Sequence, residues 1–373
     1  MKISILSAAY PFRGGIANFA ALLYKELVKE NDVKVFTFTR QYPSLLFPGK
    51  TQLETDKSAL AIPSERVLDS INPLSWIKTG NLIKKERPDY LIIKYWMPFF
   101  APAFGKIARI VKSNGHTKIV AVCHNIVPHE TKPGDITFTK YFFNSVDKFV
   151  ILSHTVENDL KQIKPSADYS VLYHPVYSHF GELVDRKTAL NKLNISDKKN
   201  LLFFGFIREY KGLDILIKAC ALLKDKLDFN LLIAGEFYSD EEKYKDLIKK
   251  NNLESQIHLF NDFIPSDDVK YYFSASDVVV LPYRSATQSG IVQAAYNFYK
   301  PVIATRVGGL SEIVKHEENG LLVEPENPEA LAEAIIDYFN SQKEVIFTSK
   351  IREFQELFSW ERFNSLFTQF LNK

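Results

Sequence analysis

Strand-like apolar runs alternate with amphipathic helical stretches twice along this chain, and that alternation constrains the fold more than any other feature. Lys2 to Ala8 reads as a buried strand that breaks at Tyr10-Pro11. A helix from Ile16 to Lys29 and a strand from Val33 to Thr39 complete a βαβ opening. Strand-like runs follow at Tyr90 to Lys94, Lys118 to Cys123, Lys148 to Leu152 and Tyr169 to Leu172. Helical stretches lie between them near Leu74 to Lys85, Pro102 to Lys112, Ile136 to Phe143 and Val156 to Ile163. The pattern restarts at Leu201 to Phe204 and continues through Phe229 to Ala234, Gln256 to Phe260, Val278 to Leu281, Pro301 to Ala304 and Leu321 to Val323. Such alternation predicts an α/β protein whose parallel sheets carry helices on both faces. The expected architecture is two Rossmann-like, doubly wound domains facing each other across a cleft. The expected boundaries are an N-terminal domain over 1–178, a linker over 179–198 where proline and turn residues cluster, a C-terminal domain over 199–355 and a closing helix within 356–373. Tyr42 to Pro73 has no clear period and reads as a long loop with partial helix.

Composition agrees with this plan. A chain of 373 residues is long for one core, and 46% hydrophobic with 24% charged residues is a globular balance. The two cysteines, Cys123 and Cys220, argue against a disulfide framework and fit a reducing compartment. The first apolar run is too short for a secretory signal, and no window of 18 apolar residues is free of charge or proline, so a cytoplasmic protein is expected. Charge is uneven. Residues 1–180 hold 23 Lys+Arg against 15 Asp+Glu, a net of +8, which leaves 3 − 8 = −5 for the remainder. A basic N-terminal half suits an anionic partner such as a phosphate-bearing acceptor or an acidic membrane surface, although scattered charges also describe a solvated face. No nucleic-acid motif accompanies them.

Three places could hold phosphate. Leu281 to Gly309 contains a strand end, a small polar loop with Thr287, Gln288, Ser289 and Gly290, and an apolar helix from Ile291 to Tyr299. Unpaired backbone N–H groups and the positive end of a helix dipole can bind an anion there. An ordinary strand-helix-strand connection would read the same way. Arg13-Gly14-Gly15 opens the first helix, where glycines let a backbone approach a phosphate or merely satisfy a tight turn. Lys211 precedes Gly212 at the mouth of a helix, with Arg208 three residues earlier. An arginine fork and a lysine point charge suit a diphosphate leaving group, the alternative being two solvated charges.

His124 ends an apolar strand, where open α/β sheets place their ligand contacts. A histidine that packs or hydrogen-bonds is the alternative. Asn125, His129 and Glu130 follow and are candidates for contact with an acceptor. Irregular spacing and Pro128 argue against a metal site among His124, His129 and Glu130. Cys123 reads as a core residue. Tyr95 to Val111 clusters aromatics beside Lys106 and Arg109. On a helix this fits either a membrane interface or a buried helix with a snorkelling basic edge.

Several stretches in order resemble one family over nearly the whole chain, least between Tyr42 and Lys85. LLFFGFIREYKGLDIL from Leu201, PVIATRVGGLSEIV from Pro301 and NGLLVEPENPEALAEAI from Asn319 look like the C-terminal domain of family-4 retaining glycosyltransferases of the GT-B fold. The Gly14-Gly15 loop and CHNIVPHE at Cys123 to Glu130 match that family's N-terminal domain. The resemblance implies transfer of a sugar from a nucleotide diphosphate sugar with retention and without a metal or other cofactor. It implies an acceptor held by the N-terminal domain, Gly14 and Gly15 leaving room for the donor, and His124 near the transferred sugar. Arg208 and Lys211 would stabilise the diphosphate, and the last helix would cross back to the N-terminal domain.

Two departures stand out. The family arginine usually follows the first glycine, where this chain has Phe206. The family also carries two glutamates eight positions apart, and alignment on Lys300-Pro301-Val302 puts Ala286 and Ala294 at those places. Hydroxyl, amide and backbone groups, including Gln293, would then hold sugar and ribose, with Glu312 another candidate for the ribose. The leading expectation is a glycosyltransferase acting on a cell-surface glycan or lipid-linked acceptor, with possible peripheral contact to an anionic membrane. A silent nucleotide-binding partner subunit and a nucleotide-sugar epimerase are the rivals.

Overall fold

The computed structural model describes residues 1–44, 47, 49–54, 60–128, 132–238 and 240–373. The chain forms two compact units, one of Met1–Pro175 with Phe358–Lys373 and one of Val176–Leu357. The final helix therefore belongs to the first unit.

In the first unit seven strands form one sheet: β1 (Lys2–Leu6), β2 (Asp32–Arg40), β3 (Glu65–Asp69), β4 (Tyr90–Tyr95), β5 (Lys118–Cys123), β6 (Lys148–Ile151) and β7 (Tyr169–Val171). Their order is β3-β2-β1-β4-β5-β6-β7, and the neighbours pair in parallel. Parallel pairing needs crossover helices, which cover both faces and make the central strands apolar throughout. Register places Ile5 beside Ile92 and Ile92 beside Val120, all buried. Winding reverses between β1 and β4, so the loops leaving those strands splay apart at the carboxyl edge. The helix Trp360–Asn372 packs on the helix Gly15–Leu27. Trp360 and Phe363 meet Phe19 edge-on at 5.0 and 5.7 Å. The Tyr90 hydroxyl donates to the Leu371 carbonyl at 2.6 Å, and Lys148 Nζ donates to that of Phe370 at 3.2 Å.

The second unit has a six-stranded parallel sheet in the order β10-β9-β8-β11-β12-β13. Its strands are β8 (Lys199–Phe204), β9 (Phe229–Ala234), β10 (Ile257–Phe260), β11 (Val278–Leu281), β12 (Val302–Thr305) and β13 (Gly320–Val323). Here the reversal lies between β8 and β11.

Two sequence expectations need correction, and a third is narrowed to one of its alternatives. The stretch read as loop with partial helix contains β3, an edge strand in which Leu68 is the buried residue, so it shows almost no alternation. The expected linker contains the helix Arg186–Leu193, capped by Asp185 accepting from the Thr188 amide at 2.9 Å. Arg186 anchors it through Asp277 and Asp197, each at 2.8 Å. The helix Ala101–Lys112 buries Phe104, Ile107, Ala108 and Val111, while Trp96, Phe99 and Phe100 join the core. The aromatic run after Tyr95 therefore packs into the core, as the buried-helix alternative reads it.

Phe367 is fully buried in the closing helix and stacks on Phe363 at 5.9 Å. Phe367→Ala removes a ring from a core that can collapse only partly, which costs about 3–5 kcal/mol. Urea denaturation should show this loss in the transition of the first unit. A loss of under about 1 kcal/mol would mean that the helix is peripheral to that core.

Candidate functional site

The reversal between β8 and β11 brings three sequence candidates to one edge of the second unit. Gly205 follows β8 with φ +92°, and a Cβ there would lie 3.1 Å from Ile291 Cδ1 and 3.3 Å from Lys211 Nζ. The lysine amine thus sits beneath the end of β8, beside the first turn of the helix Gly290–Asn297. Lys211 belongs to the tight turn Glu209–Lys211. Arg284, which the sequence reading passed over, ties that turn down by donating to the Glu209 carbonyl at 2.8 Å and to both Asp214 oxygens at 2.9 and 2.8 Å. Lys211 is buried, and burial together with the nearby Arg208 charge pushes its pKa down to about 7. Its charge is therefore poised near neutral pH, and an arriving anion would favour the charged form.

Arg208 lies with its guanidinium 5.1 Å from the Tyr238 ring. Tyr238 stacks on Phe206 at 4.5 Å, with Phe263 a further 6.2 Å from Phe206. The phenylalanine in place of the family arginine is thus one layer of an aromatic stack that Arg208 covers.

The polar loop is held by the next turn, since a Cβ on Gly309 would fall 2.1 Å from the Thr287 carbonyl oxygen. The Gly309 amide also donates to the Ala286 carbonyl at 3.3 Å. Ser289 caps the helix by accepting from the Ile291 amide at 3.2 Å. A Cβ on Gly290 would meet Tyr177 at 3.0 Å, so this phenol closes over the helix start. Thr287 and Gln288 lie half-buried in the same loop, and Glu312 is half-buried in the short helix Leu310–Ile313 after β12. Ala286 and Ala294 are both buried and bring no polar atom. Gln293, one turn into the helix, is buried, and its Oε1 has no hydrogen-bond partner among the described residues. A buried amide oxygen left that way is an acceptor waiting for a hydroxyl.

In the first unit Gly14 has φ +100°, with nothing within 4 Å of a Cβ among the described residues, and it precedes the helix that begins at Gly15. The turn is therefore open. His124 follows β5 on the same edge and is buried. Its amide donates to the Tyr95 carbonyl at 2.8 Å, and its ring meets Phe19 edge-on at 4.9 Å. Phe19 also touches His174 at 4.9 Å and carries the Lys94 amine over its face at 3.0 Å. Burial, then Lys94 and His174, hold His124 well below the usual imidazole range, so its ring is neutral at pH 7. Burial likewise pushes His174 down to about 3, and its Nδ1 donates to the Pro175 carbonyl at 2.7 Å. Lys94 is fully buried, has no hydrogen-bond partner among the described residues and is held well below the usual lysine range by burial. A lysine at the end of the otherwise apolar β4 was the signal that could have found it.

Asn125 lies beside His124, its buried Oδ1 without a hydrogen-bond partner among the described residues, while His129 and Glu130 fall outside them. Cys123 is a fully buried core thiol. Among the described residues no group of three His, Cys, Asp or Glu could hold a metal ion, and no helix is long and apolar enough to cross a membrane.

Comparison with known proteins places both units. The family model "Glycosyltransferase Family 4" matches residues 13–178, and "Glycosyl transferases group 1" matches 185–353. An uncharacterized glycosyltransferase of Methanocaldococcus jannaschii is 29% identical over 97% of this chain and 95% of its own. A putative teichuronic acid biosynthesis glycosyltransferase of Bacillus subtilis is 28% identical over 65% of this chain and 60% of its own. Among solved structures, HepE of Anabaena in complex with UDP and glucose superposes with a TM-score of 0.81 at 19% identity, covering 100% of this chain and 99% of that one. With two Rossmann-like parallel sheets, matches to both family models and a full-length relative, this chain belongs to the family-4, group 1 glycosyltransferases and has the GT-B fold.

Proposed function

We propose that the second unit binds a nucleoside diphosphate sugar and that the enzyme moves the sugar, with retained configuration, to a cell-surface glycan or lipid-linked acceptor held by the first unit. The observation that carries this reading is Lys211: a buried amine beside Arg208 and the first turn of the helix Gly290–Asn297, at the switch point of a parallel sheet. A diphosphate there would be met by two cations and the positive end of a helix dipole, which stabilise the charge that develops as the glycosidic bond breaks. The HepE complex supports UDP as the nucleotide. Donor hydroxyls would be read by neutral groups, with Gln293 Oε1 accepting and Thr287, Gln288 and Ser289 nearby. In the first unit the open Gly14-Gly15 turn and the neutral His124 would position the acceptor and the reacting sugar. The teichuronic acid relative supports a cell-surface product. No step in this scheme calls for a metal.

Thermal unfolding with UDP and UDP-glucose tests the site. Wild-type protein should be stabilised by about 2.7 kcal/mol at a hundredfold excess over Kd. Lys211→Ala should lose most of this response while folding normally. An equal response in the variant would remove Lys211 from the donor site.

Affinity for UDP-glucose should also depend on pH with a defined sign. The free amine titrates near pH 7, and the bound diphosphate holds it charged. Below pH 7 the proton is already present and affinity is flat. Above pH 7 binding must take up a proton, so affinity falls by up to about tenfold per pH unit. Stability of the free protein moves the other way over that interval, because the unfolded chain keeps a lysine proton that the folded chain has released. Calorimetric titration from pH 6 to 9 reads the slope, and a flat profile would show that Lys211 stays clear of the phosphates.

A further inference from the structure

A buried tyrosine normally finds a hydrogen-bond partner for its hydroxyl. Tyr95 meets the Thr139 hydroxyl at 2.7 Å, and Tyr338 donates to the Asp277 carbonyl at 3.0 Å. Two buried phenols, Tyr283 and Tyr296, have no such partner among the described residues. Tyr296 lies near the far end of the helix Gly290–Asn297. Tyr283 follows β11, where the winding of the second sheet reverses, and it lies beside Lys211.

The backbone around Tyr283 is pinned from three directions. Its carbonyl accepts from the Thr305 hydroxyl at 2.5 Å, and the Arg284 amide donates to the Tyr210 carbonyl at 2.7 Å. A Cβ on Gly212 would collide with the Pro282 carbonyl, so the turn Glu209–Lys211 lies hard against the strand end. The Tyr283 ring meets Tyr210 edge-on at 6.1 Å, and the Lys211 amine lies 5.7 Å from its centre. Ser289, which caps the helix Gly290–Asn297, is also close enough to act on the phenol, but its own oxygen is taken by the Ile291 amide. The hydroxyl therefore sits among donors: a lysine amine and the first amides of a helix. An acceptor is what this corner lacks, and an anion with several oxygens would supply it.

We propose that the Tyr283 hydroxyl donates a hydrogen bond to the diphosphate of the nucleotide sugar, as a third side chain beside Lys211 and Arg208. The proposal rests on the donor site described above and adds to it a contact of a different kind. Burial, and after it Tyr210, push the phenol above the usual tyrosine range, so it keeps its proton across the interval in which Lys211 titrates. Lys211 thus offers a charge that depends on pH, and Tyr283 offers a hydrogen bond that does not. A neutral donor also serves the anion without adding repulsion to two neighbouring cations, which a third basic side chain would do.

Tyr283→Phe deletes the hydroxyl and keeps the ring, so it tests this contact directly. Calorimetric titration with UDP and with UDP-glucose at pH 6 and pH 9 is the measurement. The variant should bind both ligands at least about tenfold more weakly, by the same factor at both pH values. Without ligand it should unfold at the wild-type temperature or above, because the hydroxyl it loses has no bond to break. A lower unfolding temperature would reveal a partner inside the protein and overturn the proposal. So would wild-type affinity for UDP, or a loss confined to UDP-glucose, which would assign the hydroxyl to the sugar. Lys211→Ala, titrated alongside, separates the two readings. Weak binding in that variant with wild-type binding in Tyr283→Phe would remove the phenol alone, and wild-type binding in both would remove the donor site with it.

Discussion

A parallel sheet cannot leave either face in water, because its strands are apolar throughout, and this requirement shapes both units. In the first unit the crossover helices between consecutive strands do not finish the job. The far end of the chain supplies the remaining cover, with Trp360 and Phe363 on Phe19 and the ends of β4 and β6 bonded to the last carbonyls. Phe19 is consequently shared. It belongs to the core under the closing helix, and it also forms the floor on which His124, His174 and Lys94 rest. Packing and the candidate site cannot be altered separately at that residue.

Each unit buries one lysine at the carboxyl edge of its sheet, and the two differ in an instructive way. Lys94 is fully enclosed over an aromatic face, so burial holds it well below the usual lysine range. Lys211 keeps slight access, and its pKa rests near neutrality. The first amine acts as a compact packing group over the Phe19 ring. The second is a charge held in reserve until an anion arrives. Desolvation is the common cause, and the degree of enclosure decides which outcome follows.

Most strands and helices of the two sheets were legible because parallel pairing forces long apolar runs separated by amphipathic helices. Ile5 and Ile92, which pair in the sheet, both lie in such runs. The exceptions share a physical reason. β3 is an edge strand with one buried residue, and the helix Arg186–Leu193 is held by ion pairs instead of an apolar stripe, so neither leaves a periodic trace. In the site, Arg208, Lys211 and the Ser289-Gly290 loop were readable because a charge or small residue stood at a strand end. Tyr177 and Arg284 were not, since their roles come from what lies across space from them, and Lys94 was passed over although a lysine ending an apolar strand was a signal. The aromatic run at Trp96 to Phe104 left two readings open for a related reason, as composition cannot tell which side of a helix faces the sheet.

The division of the first unit between the two ends of the chain has a consequence during synthesis. Residues 1–175 emerge first, yet their core stays open until residues 358–373 arrive. The second unit is contiguous from Val176 to Leu357 and can fold as soon as it leaves the ribosome. The part made first is therefore completed only after the second unit, and nascent chains carry the bare flank of the helix Gly15–Leu27 until residues 358–373 emerge. Chaperones that shield apolar surface have their reason to engage this protein there.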